Sequence, residues 1–140
     1  MTEKRPPSEN FDWVTARSHC SLGEVFEKLR QQVKADVEKR EAMRKERSGI
    51  GSYFAFKFVQ SGGDSFTAMA EGTKVDERVR FECDRNAITA KGKYGKPNLM
   101  ATLTLSNDGE CRVMIGGREY DLWQFRKMAL EHLFFEFYER

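Results

Sequence analysis

Residues 52–59, SYFAFKFV, change side with every residue: Phe54, Phe56 and Phe58 share one face, and Tyr53, Ala55 and Lys57 share the other. A period of two belongs to a strand with one buried face, because successive side chains leave a pleated backbone in opposite directions. The pattern recurs downstream. Residues 65–71 (SFTAMAE) bring Phe66, Ala68 and Ala70 together, and 77–83 (ERVRFEC) set Val79, Phe81 and Cys83 against Arg78, Arg80 and Glu82. After 87–91 (AITAK), residues 99–105 (LMATLTL) align Leu99, Ala101, Leu103 and Leu105, and 110–115 (ECRVMI) align Cys111, Val113 and Ile115. Turn residues separate the runs: Gly62-Gly63, Gly72, Asp84-Arg85-Asn86, the loop 92–98 (GKYGKPN) and Asn107-Asp108-Gly109. Connections this short suit antiparallel neighbours and exclude parallel crossovers, which need roughly a dozen residues. The expectation is a meander of about six antiparallel strands, packed on one side and wet on the other.

Working outward, Ser21-Leu22-Gly23-Glu24 reads as a capping box, with Cys20 and Val25 at the staple positions. The helix it opens is expected from Leu22 to about Arg47, on an apolar stripe of Leu22, Val25, Phe26, Leu29, Val33 and Val37. Past Val37 the stripe stops, since residues 38–47 (EKREAMRKER) carry only Ala42 and Met43 as apolar members. Those turns are expected to project beyond the sheet, held by pairs such as Glu41–Lys45, and to end at Ser48-Gly49. Residues 11–17 (FDWVTAR) alternate in part and read as a short edge strand or an extended segment laid over the core by Trp13. Residues 1–10 read as a flexible tail, leaving 11–140 as a single α+β domain.

Downstream, Gly116-Gly117 breaks the last strand, and Asp121-Leu122-Trp123-Gln124 forms a second capping box with Tyr120 and Phe125 as its staple. The helix predicted from Leu122 to about Tyr138 is apolar on far more than one stripe. Such a helix is either deeply buried or has a second partner.

Composition narrows the function classes. With 24 basic and 22 acidic residues the formal net charge is only +2, so no strong field covers the molecule and any anion preference must be local. Three widely spaced cysteines, Cys20, Cys83 and Cys111, argue against a disulfide framework and fit a reducing compartment. The polar N-terminus lacks the apolar core of a signal peptide, and no apolar run reaches the roughly 18–20 residues of a membrane helix. A cytoplasmic protein with no membrane contact is the expectation.

Catalytic and metal signatures are weak. His19 and His132 lie at opposite ends of the chain, no paired-cysteine spacing exists, and adjacent Glu131 and His132 diverge on a helix. Cys20 beside His19 reads as a small buried staple residue rather than a nucleophile. No acid, base and nucleophile converge, so neither an enzyme nor a cofactor is expected.

Two surfaces remain. The loop from Lys91 to Pro97 carries Lys91, Lys93, Tyr94 and Lys96, and could hold an anion through lysines, glycine amides and one stacking ring. Arg78, Arg80 and Arg85 could extend it into a basic patch, although an ordinary solvated hairpin loop accounts for the same residues. Nucleic acid is not expected as a partner, and the charged end of the first helix, with six basic against four acidic residues over 34–47, does not demand it. The second surface is the closing helix. Trp123, Leu130, Phe134 and Phe137 are candidates for a homodimer or protein-partner surface, or for the lining of a pocket for a small hydrophobic ligand above Phe54, Phe56, Phe58 and Phe66. Plain core packing is the competing explanation.

The order helix, antiparallel meander, C-terminal helix resembles in outline the helix-grip lipid-binding domains and, more loosely, the pleckstrin-homology-like barrels. The resemblance covers element order alone, no motif residue carries it, and the single long first helix departs from the pair of short helices of the helix-grip pattern. The leading expectation is a non-enzymatic binding domain that self-associates or takes a protein partner. A hydrophobic-ligand carrier, and a weak anion or nucleic-acid binder acting through the Lys91–Pro97 loop, are the alternatives.

Overall fold

A computed structural model of the protein describes residues 7–46 and 54–137. Two helices, α1 (Trp13–His19) and α2 (Leu22–Glu46), precede seven strands: β1 (Phe54–Gln60), β2 (Ser65–Gly72), β3 (Val75–Cys83), β4 (Ile88–Gly92), β5 (Asn98–Leu105), β6 (Cys111–Ile115) and β7 (Arg118–Tyr120). Helix α3 (Leu122–Glu131) follows and runs directly into a π turn, His132–Glu136. The strands pair in sequence order, β1 to β7, and every pairing is antiparallel. This is the α+β meander between helices that the alternation predicts.

The register puts the predicted residues on one face. Phe56 stands opposite Ala70, Phe58 opposite Ala68, and Phe66 opposite Phe81. Small side chains beside large ones let the rings of one strand lie over their neighbours, and Phe66 stacks on Phe81 at 4.8 Å. Helix α2 closes the face from one side with Phe26, Leu29, Val33 and Val37, all buried, and α3 adds Phe125, Ala129 and Leu130.

Several expectations change. Residues 11–17 are not an edge strand: Asp12 accepts a hydrogen bond from the Thr15 amide at 3.1 Å and caps α1, so local capping outweighs a partial alternation. Trp13 does not cover the core either, being 62% exposed on a helix that buries none of its residues. The strand count rises to seven because Gly116 and Gly117, both at positive φ (58° and 80°), form a tight turn rather than an end, returning the chain as β7.

The first capping box is only half formed. The Ser21 hydroxyl accepts from the Glu24 amide at 3.4 Å, while the Glu24 carboxylate turns to His19 Nδ1 at 3.2 Å instead of reaching back. The expected tail is described only from Pro7 on, and the expected stop at Ser48-Gly49, with Tyr53 and Tyr138, lies outside the described residues.

The cysteine reading is also overturned. Cys20 and Cys111 form a disulfide across 91 residues of sequence, tying the α1–α2 junction to the start of β6. Alternation correctly detects a strand at Cys111 but assigns the side chain inward, whereas the residue is exposed and bonded to the buried Cys20.

The far half of α2 is pinned more firmly than a projecting helix would be. Glu41 pairs with Arg44 at 2.6 Å rather than with Lys45, and accepts the β1 backbone N–H of Phe56 at 3.0 Å. Among the described residues β1 pairs only with β2, so this carboxylate satisfies a donor on an open sheet edge. The Arg44 hydrogen bond, with help from the Phe56 amide, holds the Glu41 carboxyl below the usual carboxylate range.

Two outcomes follow from these restraints. Because the disulfide closes a long loop, Cys20→Ser should lower unfolding stability in urea by about 2–4 kcal/mol, and thiol reductant should bring the unsubstituted protein to the same midpoint. E41Q should cost about 1 kcal/mol at neutral pH. A lowered folded-state pKa stabilises above the ordinary carboxylate range and loses that contribution as pH falls through it, so the E41Q penalty should vanish on acidification.

Candidate functional site

The start of α3 is built as its sequence prescribes. Gln124 Oε1 accepts the Asp121 N–H at 2.8 Å in a reciprocal capping box. Arg112 of β6 reaches the same aspartate at 2.9 Å and Asp108 of the β5–β6 turn at 2.6 Å, and this guanidinium is nearly buried. Its hydrogen bond to Asp108, then that to Asp121, raises its pKa further and keeps it charged. The helix is thereby fixed to the far end of the sheet.

From His132 the backbone widens, and the Phe137 N–H bonds to the His132 carbonyl at 3.1 Å, five residues back. A π turn advances each residue by less than the roughly 100° of an α-helix, so the side chains after it lie elsewhere than α-helical spacing assigns them. Phe134 meets Phe56 edge to face at 5.5 Å, and Phe137 meets Phe54 at 5.7 Å. Phe135 turns outward and is 47% exposed.

A groove of about 360 Å³ lies between α2 and α3. Leu130 and Phe134, both buried, form its floor, while Met43, Trp123 and Phe135 form half-exposed walls. Asp36, Lys39 and Arg40 from α2 and Arg126, Lys127 and Glu131 from α3 line its edges. Arg40 lies between the rings of Phe56 and Phe135, 4.8 and 5.0 Å from their centroids, and its Nε donates to the Phe134 carbonyl at 2.8 Å. That bond occupies a carbonyl of the π turn and props Phe135 on the groove wall. Arg126 stands 3.0 Å from Asp36 and donates to Gln32. Burial nevertheless pushes the Asp36 carboxyl above its usual range, against the pull of Arg126 and Lys39, so desolvation outweighs the ion pair there.

Three of the four surface residues named from sequence, Trp123, Leu130 and Phe134, meet in this groove. Phe137 does not. Positions 130, 134 and 137 share a face on an α-helix, and the π turn carries Phe137 to Phe54 and a different cleft. Phe135, Met43 and Arg40 belong to the groove and escape sequence reasoning. Met43 carries a trace of signal, as one of two apolar residues in an otherwise charged stretch.

The lysine loop disperses its residues. Lys91 lies on the outer sheet face opposite Arg80. Lys93 Nζ is 2.7 Å from Asp76, a carboxylate shared with Arg78. The amides of Gly92, Lys93 and Gly95 already donate to the carbonyls of Pro97, Arg78 and Gly92. Tyr94, 74% exposed, stands between a cleft shared with Lys93 and Phe137 and another lined by Lys96, Met128 and His132.

Rings fill the centre of the space between sheet and helices. Phe26 lies 5.1 Å from Phe66, and Phe81 lies 6.3 Å from Phe125. Nearer the β1 edge, Phe56 and Phe58 border an open cleft of about 400 Å³ against Val37 and Ala42 of α2. Cys20 is held in the disulfide, and the thiol of Cys83 has its pKa raised by burial first and then by Asp84 and Asp64. Among the described residues no three metal-ligating side chains converge, and no helix is long and apolar enough to cross a membrane.

The loop gives a direct check of its closed form. A Cβ at Gly92 would lie 2.0 Å from the Lys96 carbonyl oxygen, which is backbone and cannot swing away. Gly92→Ala should cost about 1–3 kcal/mol in denaturant unfolding and leave α3 intact by helical circular dichroism. No protein-family profile, curated protein or solved structure matches this chain.

Proposed function

We propose that the protein is a non-enzymatic docking domain, and that the α2–α3 groove receives a helical segment of a protein, either a second copy of this chain or another polypeptide. The observation that carries this reading is the exposure of Trp123, Met43 and Phe135 along one groove, around the recessed floor of Leu130 and Phe134. Scattered exposed apolar residues are ordinary on any surface, whereas adjoining ones around a concavity with a charged rim mark interaction sites. Trp and Arg supply most strong contacts at such interfaces, and the groove offers Trp123 with Arg40 and Arg126.

Length supports a helical occupant. From Trp123 to Phe135 the wall runs for about three turns, the footprint of an amphipathic helix laid in a groove with anchors at three- and four-residue spacings. A cytoplasmic location is compatible with this reading where Cys20 and Cys111 remain reduced, because reducing compartments keep most thiols unpaired.

Photocrosslinking tests the surface itself. A benzophenone amino acid placed at Phe135 in cells should give discrete protein adducts that disappear with Trp123→Ala. The same probe at Val59 or Tyr94, exposed but outside the groove, should give none. Adducts of equal yield at all three positions, or none at Phe135, would rule out the groove as a docking surface. Trp123 is 55% exposed, so its replacement should leave thermal stability within about 0.5 kcal/mol of the parent.

A further inference from the structure

Resting on the docking reading above, we infer that the occupant of the groove is a second copy of this chain, joined through antiparallel contact of the two α3 helices about a two-fold axis. Trp123, Lys127, Glu131 and Phe135 recur every four residues along α3 and its π turn, and all four are exposed. Positions four apart stack along one side of a helix, drifting slowly around it. The π turn advances its residues by less than an α-helix does and so returns Phe135 toward the line of the other three. The stripe reads aromatic, basic, acidic, aromatic.

Reversed, that order is its own complement. When two such stripes run antiparallel about an axis between positions 127 and 131, Trp123 of one protomer meets Phe135 of its partner. Lys127 of one meets Glu131 of the other, and each contact occurs twice. A two-fold interface requires one patch to be complementary to itself, and this patch meets the requirement in both charge and apolarity. Within one chain Lys127 already lies 3.2 Å from Glu131, so the pairs can be exchanged between protomers with no charge left bare. The partner's indole falls at the end of the groove walled by Met43 and Phe135, where Arg40 backs the Phe135 ring. Parallel stripes would instead bring Lys127 against Lys127 and Glu131 against Glu131. A flat lipid surface fits less well, since the floor residues Leu130 and Phe134 are recessed and only 2% and 7% exposed.

Charge swapping combined with light scattering after size exclusion decides the matter. The unsubstituted protein should move from protomer to dimer mass with rising concentration, in the micromolar range or weaker for a contact of this size. K127E and E131K should each weaken dimerisation at least about tenfold, because each creates two like-charge contacts. Mixing K127E with E131K should restore a dimer containing one of each, and the double variant K127E/E131K should recover association. Trp123→Ala should abolish it with the fold unchanged by circular dichroism. A protein that stays a monomer at about 1 mM, or single variants that dimerise as well as the parent, would overturn the second copy as occupant. Adducts at Phe135 to a different chain, with a monomer in solution, would overturn it too while leaving the docking reading standing. Loss of all Phe135 adducts would remove both. Binding of the monomer to anionic vesicles, suppressed by Trp123→Ala, would assign the stripe to lipid and overturn the dimer.

Discussion

Four rings, each from a different element, hold this molecule together. Phe26 of α2 lies against Phe66 of β2, Phe66 stacks on Phe81 of β3, and Phe81 meets Phe125 of α3 edge to face. Their separations of 4.8–6.3 Å are those at which aromatic pairs attract, and Phe66, Phe81 and Phe125 are fully buried. Through this chain of rings α2 is anchored on β2 and α3 on β3, adjacent strands of the sheet.

Because the rings fill the interior, the remaining apolar surface of α3 has to face outward. Phe125, Ala129, Leu130, Leu133 and Phe134 satisfy the core, which leaves Trp123, Met128 and Phe135 exposed. A helix of uniform pitch would have divided its aromatics differently. The π turn sends Phe134 and Phe137 to the sheet and Phe135 to the groove, and Arg40 fixes that division by bonding the Phe134 carbonyl while lying on the Phe135 ring. π turns are frequent at functional sites, and here the irregularity shapes the surface proposed for a partner.

Charge does its structural work at junctions rather than over the whole surface. Arg112 clamps the β5–β6 turn to the first turn of α3, Glu41 caps an edge N–H of β1, and Arg40 bridges α2 to the π turn. Each joins elements that hydrophobic packing alone would leave free to slide. Most exposed pairs, such as Lys57 with Glu71 or Arg80 with Glu82, contribute little by comparison. A near-neutral chain with a third of its residues charged can thus carry directional contacts without a strong overall field.

The sequence by itself determined the meander, the antiparallel pairing, the long first helix and the capped start of α3. These rest on signals that repeat every two or four residues and are complete within one segment. It also pointed to an α3 apolar on more than one stripe, of which Leu130 and Phe134 enter the core and Trp123 stays exposed. Tertiary structure alone decided the rest. The Cys20–Cys111 bond joins residues 91 apart, and Arg40 meets the Phe134 carbonyl 94 residues away. No local period records such meetings. The exchange of Phe137 for Phe135 depends on a turn whose pitch is set by what it packs against, since Phe134 and Phe137 are drawn to Phe56 and Phe54 across the sheet. Periodicity fixes which face a residue occupies while the pitch holds, and only long-range packing determines where the pitch changes.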